Sequence, residues 1–105
     1  MVVKFVDAKK SSGGGSFFRD GYEKVSVREL VGKTIQIEDV EFKEGLFGEA
    51  AVVYLVDKRA FMTSSNVLLD QIRNVIKPYT DKGEIVEAGV AWATGKSGRR
   101  YLTFV

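Results

Sequence analysis

The sequence contains no cysteine and no histidine. Without cysteine there is no disulfide framework and no thiolate metal site, a composition compatible with a reducing interior. Without histidine, the side chain that most often serves as general base and as zinc ligand is missing. No apolar run approaches the ~20 residues of a membrane-spanning helix, and no signal-peptide core is read at the N-terminus. The excess of positive charge is a formal +2 at pH 7. That is too small to argue for nucleic acid by itself, so only the distribution of charge can carry such an argument. What remains is 105 residues of ordinary globular composition, 45% hydrophobic and 29% charged, sized for one domain with a single core.

The most informative stretch runs from Thr34 to Met62. Thr34–Phe42 alternates apolar and polar residues, as a strand with one buried face does. Ile35 and Ile37 share one parity while Val40 and Phe42 share the other. The switch at Glu38-Asp39 predicts a bulge, which bends a strand sharply enough to close a small barrel. A turn over Gly45–Gly48 leads into Ala50–Val56, apolar on both faces. Asp57-Lys58 is read as the turn into a third strand, Arg59–Met62. The result is an antiparallel meander.

Ahead of it, Ser11–Ser16 is a Gly/Ser linker, so residues 1–25 are expected to form a flexible arm and 26–105 the folded domain. Phe17, Phe18 and Tyr22 stand against a purely disordered tail, and the alternative is that they dock. Ser26 and Glu29 fit a capping box, and Gly32 closes a single helical turn. Beyond the meander, Leu68, Leu69, Ile72, Val75 and Ile76 recur at helical spacing, predicting a helix over Asn66–Lys77 that ends at Pro78. Glu84–Thr94 and Arg100–Val105 form a last pair of strands around Gly95–Gly98.

Strand, strand, strand, helix, strand, strand is the order of the OB-fold, a five-stranded Greek-key barrel with its helix between strands three and four. The expected class is therefore all-β with one helix. Three segments carry a closer likeness: Leu30–Lys33 leading into Ile35–Glu41, Phe47–Val53, and Ser97–Tyr101. On these the chain resembles the small OB-fold single-stranded-DNA-binding proteins of phages and archaea. The acidic cluster Glu38, Asp39, Glu41 and Glu44 departs from that pattern.

Single-strand binding needs aromatic faces to stack bases and cations to follow phosphates. An OB-fold takes its ligand across strands two and three, between the loops joining strands one to two and four to five. The expected interface is Lys43 and Phe47 in the first loop, Lys96, Arg99 and Arg100 in the second, Lys58 and Arg59 at a neighbouring turn, and outward-facing Tyr54, Phe61 and Tyr101. Parity places Trp92 with Val86, Ala88 and Val90, on the buried side.

Gly13–Ser16 lacks the Lys-Ser/Thr of a phosphate loop, and no nucleophile is paired with a base, so an enzyme is not expected. The resemblance implies binding of single-stranded DNA during replication or recombination, without cofactor or metal, in the cytoplasm (the host's, if the protein is viral). RNA is an open alternative ligand. A protein-interaction module, with the acidic first strand and the N-terminal aromatics docking onto a partner or a second copy, is the reading from a different class.

Overall fold

Strand β2 (Thr34–Gly45) joins the two halves of the sheet. It belongs to a computed structural model that describes residues 18–45 and 48–105. The mobile arm expected over residues 1–16 and the ligand role expected of Phe47 lie outside the described residues. Thr34–Ile37 pair with β5 (Val86–Thr94), and the ladder from Ile37 to Gly45 pairs with β3 (Gly48–Leu55). The register shifts between Ile37 and Asp39, where the sequence predicts a bulge. Ile35, Ile37 and Val40 are consequently buried in one core, and Phe42 packs against it.

Strands β1 (Glu23–Lys24), β4 (Arg59–Thr63) and β6 (Arg100–Phe104) complete a six-stranded sheet in the order β1-β4-β3-β2-β5-β6. All pairings are antiparallel except β1 with β4. The expected architecture is a closed five-stranded barrel. The sheet instead curls into a half-barrel, and no ladder joins β4 to β6 among the described residues. The rings of Phe61 and Phe104 meet across that seam at 6.4 Å.

A helical segment between β4 and β5 plugs the curl. It comprises α1 (Asn66–Gln71), a π-helical turn (Ile72–Ile76) and α2 (Lys77–Thr80), and it sends Leu68, Leu69, Ile72 and Ile76 into the core. Pro78, expected to end the helix, sits inside its last turn. Proline cannot donate to the preceding turn and crowds the carbonyl four residues back. The wide π-turn directly before it relieves that conflict, and the helix runs on to Thr80. The Gln71 side chain acts as a short extra strand beside β6: its amide donates to the Phe104 carbonyl (3.2 Å) and its oxygen accepts from the Phe104 N–H (3.0 Å). Near the start of the domain, a 3₁₀ turn (Val27–Leu30) has Ser26 at its N-cap and Gly32 at φ +82° behind it, and Leu30 is buried.

One strand is assigned the wrong way round by parity. Val53 pairs with Phe61, and Val52 with Met62. Directly opposed residues share a face, so Phe61 enters the core at 0% exposure while Met62 is 40% exposed. A two-residue turn at Asp57-Lys58 would instead have paired Phe61 with Tyr54. The actual loop is three residues, Val56-Asp57-Lys58. The Lys58 N–H donates to the Leu55 carbonyl, and Lys58 takes the left-handed conformation (φ 70°) that follows a type I turn in such loops. One extra residue flips every side chain that follows.

The register can be tested on two neighbours. Phe61→Ala is expected to cost about 3–5 kcal/mol in a urea melt, whereas Met62→Ala should cost under about 1 kcal/mol. Similar losses at both positions would contradict the pairing.

Candidate functional site

Two surfaces carry the aromatic and charged side chains of interest. The first is the outer face of β2 and β3. Beyond the bulge, Asp39 pairs with Tyr54 and Glu41 with Val52, so these four residues share the face opposite the core. Tyr54 is on the outward side, as its parity predicts, yet it is 0% exposed. Its cover is the chain itself. Phe18 and Tyr22, from the segment assigned to a flexible arm, pack over Val52, Tyr54 and Ala60. The segment then joins the sheet as β1, through Glu23 N–H to Lys58 (2.8 Å) and Val25 N–H to Ala60 (2.9 Å).

The cover is fastened by charge. The Arg19 guanidinium lies 4.3 Å from the Tyr54 ring centroid. Its Nη2 is 2.6 Å from the Asp39 carboxylate, and its Nε is 2.9 Å from Glu41 Oε1. Nη2 also contacts Glu41. The Tyr22 ring meets Tyr54 edge-on at 4.7 Å, and its hydroxyl donates to Glu38. Lys58 sits 5.0 Å over Tyr22 and 3.7 Å from Glu38. Partial burial works against a charged Glu41, but hydrogen bonds from Arg19 and Lys43 outweigh it and hold the carboxyl below its ordinary value. On Arg19, desolvation is likewise outweighed by hydrogen bonds to Glu41 and Asp39, so the guanidinium is bound more firmly to its proton. Tyr22 is raised chiefly by its hydrogen bond to Glu38, and Tyr54 chiefly by burial, with the Glu41 charge adding to it.

The second surface is the distal half of the β5–β6 hairpin. Trp92 pairs with Leu102, Thr94 with Arg100, and Ala93 with Tyr101. Parity assigns Trp92 to the side of Ala88 and Val90, and the sheet keeps it there. The hairpin, however, extends past the core, so Trp92 is 39% exposed with the Arg100 guanidinium 4.9 Å from its ring. Tyr101 projects from the opposite face, 37% exposed, with its ring leaning over Gly95. At the tip, Gly98 takes φ +81°, which only glycine adopts without strain, and so lets Lys96 and Arg99 flank a tight turn. From Ala88 to Val105 there is no Asp or Glu, against three cations. Among the described residues, no ion pair engages Lys96, Arg99 or Arg100.

The expected interface thus divides. Lys96, Arg99, Arg100 and Tyr101 are brought together on the hairpin. Lys43 and Arg59 lie apart from it, held by Glu41 (3.2 Å) and Asp57 (2.6 Å). Lys58 fastens Tyr22, Tyr54 is covered, and Phe61 is core. Trp92 joins the hairpin group unforeseen. The signal available was distance along the strand: it lies two residues past Val90, the last residue of β5 buried in the core. No group of metal-ligating side chains is assembled among the described residues, and no helix there is long and apolar enough to cross a membrane.

The pairs around Arg19 should be acid-labile. Glu41 has a folded pKa below its unfolded one, so its contribution is complete above the ordinary glutamate value and is lost as pH falls through the lower folded value. For half-exposed pairs it should amount to no more than about 1 kcal/mol. Glu41→Gln should therefore lower stability at pH 7 and leave it nearly unchanged in strong acid. Urea melts at both pH values check this, and an equal deficit at both would contradict it. Against known proteins, no family model, no curated sequence and no solved structure matches the chain.

Proposed function

We propose that the chain is an OB-fold protein that binds single-stranded DNA without strong sequence preference, as proteins handling unpaired DNA in replication or recombination do. The strand order β4-β3-β2-β5-β6, with a helix between β4 and β5, supports the fold. It is the order an OB barrel has when opened between its third and fifth strands. On this reading the β5–β6 hairpin corresponds to the loop between strands four and five, one of the two that embrace a strand in such folds.

The observation that carries the function is the hairpin itself. Unpaired bases need stacking platforms, and phosphates need cations without competing carboxylates. Trp92 and Tyr101 offer a ring on each face of a two-stranded ribbon, with Arg100 against Trp92 and Lys96 and Arg99 at the connecting turn. Arg100 rests on Trp92 and can move to a phosphate when a base takes its place over the ring. The sheet face over Tyr54 plays no part in this reading, because the chain's own segment closes it and its cations are engaged by carboxylates. The interface is narrower than an OB-fold commonly offers. It is a binding surface rather than a catalytic one, since nothing on it pairs a nucleophile with a base.

Fluorescence anisotropy with matched single- and double-stranded oligonucleotides tests the reading. Single strands should bind more tightly, because paired bases hide their faces. Replacing Lys96, Arg99 or Arg100 by alanine should each flatten the log–log salt slope by roughly 0.7, the value per neutralised phosphate on single strands. Trp92→Ala should weaken binding by about 1–3 kcal/mol. Unchanged slopes in all three cation variants, or a preference for duplex, would contradict the proposal.

A further inference from the structure

A guanidinium is a planar cation with donors in a fixed fork, best held by an aromatic face beneath it and carboxylates at its edge. The outer face of the sheet provides that arrangement. Tyr54 is the floor, while Asp39 and Glu41 line the edge, at 2.6 Å from Nη2 and 2.9 Å from Nε of Arg19. Three residues further along the guest, Tyr22 fills a second position, edge-on to Tyr54 with its hydroxyl on Glu38. The bulge supplies this geometry, because it sets Asp39 beside Tyr54.

Beyond these contacts the guest has the packing of Phe18 and Tyr22 on Val52, Tyr54 and Ala60 and a short ladder. Strand β1 contributes two residues, and the Arg19 side chain is 43% exposed. A segment tied by solvent-screened ion pairs and a short ladder opens far more readily than the core. Each opening exposes an aromatic ring and takes Arg19 away from two carboxylates, Asp39 and Glu41. An arginine from elsewhere can then take the place.

We infer that the Tyr54 face is an exchangeable docking site for a peptide bearing arginine followed three residues later by tyrosine, occupied here by the chain's own Phe18–Tyr22. The resident segment sets the threshold, since a guest binds only to the fraction of molecules whose own arginine is out. With Arg19 out, Glu38, Asp39 and Glu41 face only Lys43 and Lys58, a net negative site that disfavours phosphate. It therefore recognises protein rather than nucleic acid, and it stands or falls independently of the hairpin.

The test uses the full chain, its Arg19→Ala variant and a fluorescein-labelled peptide of residues 18–25, titrated by anisotropy at low salt. Arg19→Ala should bind the peptide at least about tenfold more tightly than the wild type, because its resident segment no longer sets a guanidinium on the site and leaves it more often. The gain should vanish when the peptide's arginine is replaced by alanine, or when Asp39→Asn and Glu41→Gln are added to the chain. Equal affinity of the two chains, affinity that survives loss of the peptide's arginine, or no binding to Arg19→Ala would overturn the inference. Amide exchange supplies a second readout. In Arg19→Ala, the Glu23 and Val25 amides should exchange roughly tenfold faster while Val53 is unchanged. Unchanged exchange at Glu23 and Val25, or equal acceleration at Val53, would show that Arg19 is not the fastening of this segment. Oligonucleotide affinity enters neither measurement.

Discussion

The extra residue in β2 is the constraint on which the other features depend. A twelve-residue strand must serve β5 with its first third and β3 with the rest. A straight strand would turn its apolar side chains to opposite faces halfway along. The register shift between Ile37 and Asp39 returns Val40 and Phe42 to the core that Ile35 and Ile37 began, and it adds the local twist that curls the sheet. The same shift has a polar consequence. It gathers Glu38, Asp39 and Glu41 on the outer face around Tyr54, the largest fully buried side chain on that side. An aromatic ring ringed by carboxylates is unfavourable bare, and Arg19 resolves the conflict by stacking on the ring while neutralising the acids.

That arrangement separates two kinds of surface. The bulge face balances its carboxylates with Arg19, Lys43 and Lys58 and is closed by the chain's own segment. The β5–β6 hairpin, on the other side of β2 in the sheet order, has no carboxylate from Ala88 onward and keeps its cations unpaired among the described residues. On the proposed function, an anionic strand would find unpaired cations on the second surface and only engaged ones on the first. A net charge of only +2 hides this, because the opposing charges sit on different parts of the sheet.

Much of the architecture was legible because it depends on local pattern. The parity switch announced the bulge, the helical spacing of Leu68 to Ile76 announced the plug, and Gly95–Gly98 announced the hairpin turn. What was illegible depends on counting and on tertiary cover. Phe61 reads outward if the loop before it is two residues long, and nothing in a lysine at position 58 advertises a left-handed conformation. Tyr54 was given the right face, but the sequence does not say that a segment some thirty residues upstream lies on that face. The aromatic character of Phe18 and Tyr22 suggests docking but names no destination. Trp92 was put on the correct side of its strand, but periodicity carries no information about where the core beneath a strand stops. The basic cluster Lys96, Arg99, Arg100 and Tyr101 was found because its members are neighbours in sequence as well as in space.

Trp92 is the sole tryptophan of the chain, so its emission reports on the hairpin alone. Titrating the protein with oligothymidylate, first as a single strand and then annealed to its complement, measures the central claim directly. Stacking of a base on the indole should quench Trp92 saturably with the single strand, along the same isotherm as anisotropy, and leave it nearly unaffected with the duplex. Single-strand binding seen by anisotropy with no change in Trp92 emission would place the ligand elsewhere on the protein and contradict the account.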